Sequence, residues 1–204
     1  MAVLSVNLEH TPLDLPIHIA LFRNVENSAF LKQQLLDCNE EFEYAFIDAS
    51  VVISTVHALA AAYRAVTDLL SGRIRSRNVH SEIVFALSPN NNIAESFRRF
   101  GISDNTTSLL VIKVSTSPSI THESVARHLD LVVKGTPVEF SDNNLSEMTD
   151  ISRVRKIYKL NKGQSGSPSN RRGAGGSGVD DTGPSEEKEL EIAIIGAIAL
   201  RGAS

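Results

Sequence analysis

Apolar residues recur along this chain in two rhythms. Residues 17–22, 83–87 and 109–114 are short, nearly continuous apolar runs, the pattern of strands buried inside a sheet. Helical spacing fills the ground between them. Asn27 or Ser28 is placed to cap a helix through Leu36, with Phe30, Leu31 and Leu35 on one side. Ser54 or Thr55 caps a longer helix that ends before Gly72. In it Leu59, Tyr63, Val66 and Leu70 recur at spacings of four, three and four, which predicts one buried face. Residues 121–129 read as helix, 131–133 and 138–140 as weak strands, and 145–159 as two short helices broken near Asp150. A β-branched run at 51–53 is too short to place. Together these elements predict an α/β (α+β) body.

The segment 81–102 reads SEIVFALSPNNNIAESFRRFGI. Its β-rich run stops at Ser88 and Pro89, three asparagines follow, and a short amphipathic helix ends at Gly101. Asn92 is the expected cap for a helix starting at Ile93, with Glu95 three residues on completing a capping box. Ile93, Phe97 and Phe100 form its expected buried stripe, and Gly101 the left-handed residue after the last turn. One cap requires one asparagine. Asn90 and Asn91 are left over, and their amides suit a turn, a phosphate or a partner's loop.

After Asn161 the pattern collapses. Residues 162–184 hold seven of the twelve glycines and no large apolar side chain beyond Val179, a composition that cannot offset its ordering entropy. We expect a folded body over 1–161, a flexible linker over 162–184, and a helix over 185–204 with Ser185 as N-cap. That helix carries two apolar ladders, Leu190, Ile194, Ile198 and Ile192, Ile195, Ala199. Apolar surface over more than half its circumference predicts one side packed on the body and another offered to a partner.

Composition narrows the chemistry. A formal net charge of −4 argues against a globally basic nucleic-acid coat, so any RNA contact rests on a local patch. Such a patch exists: Arg73, Arg75 and Arg77 alternate, and Arg98 and Arg99 lie on the neighbouring helix. A solvated charged face and a phosphate-contacting strip both fit them. A second basic group is Arg153, Arg155, Lys156 and Lys159. The single cysteine, Cys38, is expected to be a partly buried thiol. The six histidines show no metal-ligand spacing, and no cofactor or metal is expected. Residues 173–178 spell G-x-G-x-x-G but lack the strand and helix that motif needs, so no dinucleotide site is expected. No secretory leader is expected, and the longest apolar run, 192–200, is too short to span a bilayer.

The 81–114 stretch resembles the small PRPK-binding subunit family of the KEOPS (EKC) complex, most specifically in SPNNNI and in FGIS at 100–103. VRKIYKL at 154–160 and the EIAIIGAIALR helix add to the likeness. The resemblance implies a single domain with a central, largely antiparallel sheet flanked by helices, and no activity of its own. It implies binding to a kinase-like ATPase, a grip on the 3′ CCA end of tRNA and a role in threonylcarbamoyladenosine formation; the nuclear and cytoplasmic location we expect rests instead on the leader and bilayer-span readings above. Ser88, Pro89, Asn90, Asn91, Asn92, Ile192, Ile195 and Ala199 are then the partner-binding candidates. Arg73, Arg75, Arg77, Arg98 and Arg99 are the RNA-binding ones. The alternative is a small-molecule enzyme using the helix start at Asn90, Asn91 and Asn92 as an anion pocket, with His80 and Glu82 beside it.

Overall fold

The computed structural model describes residues 3–12, 15–160 and 186–201. Five strands form one antiparallel sheet: β1 (Val3–Val6), β2 (Ile17–Arg23), β3 (Ala45–Asp48), β4 (Leu109–Val114) and β5 (Thr136–Val138). Their order is β1-β2-β4-β3, and β5 pairs with β2 beyond the end of β1. Among the described residues the helices are α1 (Ser28–Leu36), α2 (Thr55–Leu70), α3 (Val79–Ala86), α4 (Ile93–Phe100), α5 (His122–Val132), α6 (Asp142–Met148), α7 (Ile151–Tyr158) and α8 (Glu186–Leu200).

Both faces of the sheet are covered, which explains why β2 and β4 are nearly continuous apolar runs. Successive side chains point to opposite faces. Ile17, Ile19, Leu21, Leu110 and Ile112 therefore join a core built with α2, α3, α7 and α8. Ala20, Phe22, Leu109 and Val111 join a second core under α1 and α5. The result is an α+β domain with an antiparallel sheet, as expected. The expected linker and the Ser185 cap lie outside the described residues, as does the G-x-G-x-x-G run.

Four expectations need correction. Residues 83–87 are not a strand but most of α3, a helix whose residues from Val79 to Ala86 are nearly all buried. A helix buried all round loses the 3.6-residue alternation, so its short apolar run reads like a strand. Residues 131–133 close α5, and of 51–53 Val51 ends a 3-10 turn at Ala49–Val51 while Val52 and Ile53 follow it. In α2 the buried side is Ala58, Ala61, Ala62, Ala65 and Val66, while Tyr63 and Leu70 are exposed. Small side chains let α2 lie close to both α3 and α8. Cys38 is exposed and sits at φ 58° just past α1.

Gly101 also differs in kind. Its backbone is extended, φ −71° and ψ 163°, so no left-handed turn requires it. A Cβ there would lie 2.7 Å from the Phe97 carbonyl oxygen, and Gly101 bridges to Ile47. Close approach, not handedness, selects glycine. Gly72, at φ 64°, is the left-handed residue that ends α2.

Candidate functional site

Helix α8 is held to the body at three levels. Leu190, Ile194 and Ile198 are buried in the first core. Arg155 reaches Glu186 at 3.5 Å, near the start of the helix. At the other end Arg64 acts as a cap. Its Nη1 donates to the carbonyls of Ile198 and Ala199 at 3.2 and 3.3 Å, and its Nη2 to that of Arg201 at 2.9 Å. A cation at the last carbonyls also suits the negative end of the helix dipole. Asp68 holds this guanidinium in place, accepting from Nε at 2.9 Å.

Arg201 then turns inward. It is buried, stacks over the Phe85 ring at 3.9 Å, and donates to the Phe85 carbonyl at the end of α3. Burial is the main cause that lowers its pKa, and Arg64 and Arg75 add repulsion. The opposite side of α8 is open: Ile192 is 64% and Leu200 71% exposed, Ala199 is exposed and Ile195 half-buried. Neither Arg64 nor Arg201 was singled out by sequence reasoning. Their roles depend on where α8 lands, which no local pattern encodes.

The loop before α4 uses its polar residues unequally. Ser88 is fully buried and its Oγ accepts from the Asn90 amide N at 3.3 Å. The Asn90 side chain accepts from the Asn92 N–H at 3.0 Å, and Asn92 caps α4 by accepting from Glu95 N at 3.0 Å. Asn90, unexplained by capping, thus closes an Asx turn. Asn91 is exposed, and among the described residues its amide has no hydrogen bond. Glu95 does not complete a box. Its carboxylate binds Arg98 at 2.6 and 2.8 Å and Arg99 at 2.5 Å, which holds its pKa below the usual carboxylate range. Ile93 is half-exposed at 37%, so the α4 stripe rests on Phe100 and the half-buried Phe97.

Arg73, Arg75 and Arg77 lie on the connection between α2 and α3. It is not a strand, yet all three are exposed while Ile74, Ser76 and Asn78 are half-buried. Glu82 fixes this connection from below: its buried carboxylate accepts from Arg75 N, Ser76 N and Ser76 Oγ at 3.0, 2.8 and 2.6 Å. The strip opens on two different clefts. Arg77 joins Arg98 at the rim of a largely apolar cleft of about 450 Å³ floored by Leu35, Tyr44, Phe46, Phe97 and Ile102. Arg73 and Arg75 face a polar cleft of about 420 Å³ with Arg64, Arg201 and Asn91. Arg153, in the second basic group, is committed to Asp48 at 2.8 Å and Ser50 Oγ at 2.9 Å.

The buried histidines serve the interior. His57 Nδ1 accepts from Ile53 N at 3.3 Å, its Nε2 donates to Tyr158 Oη at 3.0 Å, and Tyr158 donates to the Leu87 carbonyl. His80 accepts from Val114 N through Nε2 at 3.0 Å. Burial lowers both pKa values to about 3, so both rings are neutral. His80 and Glu82, named for the enzyme alternative, are thus tied to backbone. Among the described residues no group of His, Cys, Asp and Glu is placed to hold a metal ion. No described helix is long and apolar enough to cross a membrane.

A body with a two-sided docked helix, a structured asparagine loop and arginine-rimmed clefts has the make-up of a binding protein. Residues 22–202 match the model of the kinase binding protein CGI-121 family. The chain belongs to that family. It is 56% identical over 200 residues to the EKC/KEOPS complex subunit cgi121 of Aspergillus fumigatus, covering 98% of this chain and 97% of the relative. It is 48% identical over 202 residues to the CGI121 subunit of Coccidioides immitis, covering 97% of each. The cgi121 subunit of Schizosaccharomyces pombe is 32% identical over 144 residues, 71% of this chain and 82% of the relative.

Proposed function

We propose that this chain is a non-catalytic subunit of an EKC/KEOPS complex that holds the kinase-like ATPase and contacts tRNA during threonylcarbamoyladenosine formation. The observation that carries the kinase contact is the unequal burial of α8. Leu190, Ile194 and Ile198 anchor it, and Ile192, Ile195 and Ala199 remain on the other side as an apolar ridge. Such a ridge suits helix-packing recognition. Pro89 and Asn91, on the loop before α4, extend the docking surface, and Ser88, Asn90 and Asn92 shape it.

The tRNA contact is assigned to Arg73, Arg75, Arg77, Arg98 and Arg99, with the 3′ CCA bases in the apolar cleft that Arg77 and Arg98 flank. Single strands are held by positive charge along the backbone and apolar surface under the bases. Two variants test the two contacts. Ile192→Asp is expected to weaken kinase-subunit binding in calorimetry by about thirtyfold, the size of an interface hot spot, without changing the thermal midpoint. Arg77→Glu with Arg98→Glu is expected to weaken tRNA binding and lower its salt dependence. Unchanged affinities in both would reject this assignment.

A further inference from the structure

Three features meet at one place, beside the docking surface proposed above. The first is Arg75, whose guanidinium has no hydrogen bond or ion pair among the described residues. The second is Asn91, the one asparagine of the triplet with no structural task. The third is the end of α8, which brings Ala199 and Arg201 to the same cleft. Four guanidiniums, those of Arg64, Arg73, Arg75 and Arg201, line it against two carboxylates, those of Asp68 and Glu82. Both carboxylates are already engaged, Asp68 by Arg64 at 2.9 Å and Arg73 at 3.5 Å, Glu82 by the backbone of Arg75 and Ser76. Four guanidiniums against two carboxylates leave the cleft with two positive charges in excess, in a concave site where water screens them less than on an open surface.

From this convergence we infer that the cleft between α2, α3 and the end of α8 binds a phosphoryl anion, and that the bound anion clasps α8 to the body. Arg75 and Arg73 contact the anion directly, Asn91 donates an amide N–H, and Arg201 presents positive charge from the α8 side. Guanidiniums are suited to this because their donors are planar, paired and always charged. The clasp follows from geometry. The walls come from both the body and α8, so an anion that needs both walls binds only the docked helix and stabilises it by mass action. The anion is either a phosphate of an RNA strand or a free polyphosphate, two sources with the same chemistry. The inference shares Arg73 and Arg75 with the tRNA assignment above, but it needs neither the apolar cleft nor the kinase contact.

The test is amide hydrogen exchange of α8 in the full chain, with pyrophosphate in one arm and a short single-stranded RNA in the other. At ligand tenfold above its dissociation constant, α8 amides are expected to exchange about tenfold more slowly. Arg75→Ala is expected to weaken the anion's affinity about tenfold and cut the slowing to about twofold at the same ligand concentration. The substitution spares every described side-chain bond, so α8 exchange without ligand should match the unaltered chain. Arg98→Ala, in the other cleft, should leave the slowing by pyrophosphate intact. Slowing by pyrophosphate alone supports the clasp and makes the ligand a free polyphosphate. Slowing by RNA, alone or with pyrophosphate, supports it with an RNA phosphate as ligand. RNA that binds through Arg77 and Arg98 without slowing α8 overturns the clasp and leaves the tRNA reading standing. Equal slowing in Arg75→Ala and the unaltered chain also overturns it.

Discussion

Tyr158 shows how much one polar atom does in this interior. Its hydroxyl accepts from His57 Nε2 at 3.0 Å and donates to the Leu87 carbonyl, tying α7 to α2 and to the end of α3. Because His57 Nδ1 already accepts from Ile53 N, the neutral ring must carry its proton on Nε2, and the direction of the chain is fixed. Tyr158→Phe keeps the ring and strands both a donor and an acceptor in a buried site. We expect a loss of about 2 kcal/mol in urea unfolding, well above the cost of losing a solvent-exposed hydroxyl. None of this was legible beforehand. His57 and Tyr158 are 101 residues apart, and no spacing rule links them.

At the scale of elements, legibility followed burial pattern. Helices with one wet face, such as α5 and the α6–α7 pair broken at Asp150, were visible from spacing. Helix α3 was not, because its apolar run has no wet face to set a period. The overlooked signal was Asn78, whose side chain caps α3 by accepting from Ser81 N at 2.9 Å. The two ladders of α8 were legible, and their unequal fate gives a direct measurement. Ile194 is fully buried and Ile192 is 64% exposed. Ile194→Ala is expected to cost about 3 kcal/mol of stability by denaturant titration, and Ile192→Ala under about 0.5 kcal/mol. Equal costs would mean that α8 docks by a different face. Within the candidate site the sequence pointed to Arg73, Arg75 and Asn91. That they share a cleft with Arg64 and Arg201 is a product of tertiary packing alone.

For the whole molecule, the buried histidines set the response to acid. His57 and His80 have folded pKa values of about 3, well below the 6.5 of an unfolded chain, because burial disfavours the charged ring. Between these limits the unfolded state binds more protons than the folded one, so stability is complete above pH 6.5 and falls as pH drops towards 3. Moving from pH 7 to pH 5 should remove about 2 kcal/mol per histidine, read as a lower urea midpoint. His18 and His128, also shifted down by burial, act in the same direction. A midpoint flat over this interval would show that the two rings do not stay neutral in the fold.

Helix α8 also has a consequence for how the molecule is made. Its three buried side chains complete a core whose other walls, α2, α3 and α7, precede it in the chain. A ribosome releases those walls first, and their greasy inner surface waits unshielded until residues 190–198 leave the exit tunnel. Nascent chains halted before that point should be favoured clients of chaperones and proteases, so cells would discard shortened products instead of accumulating them.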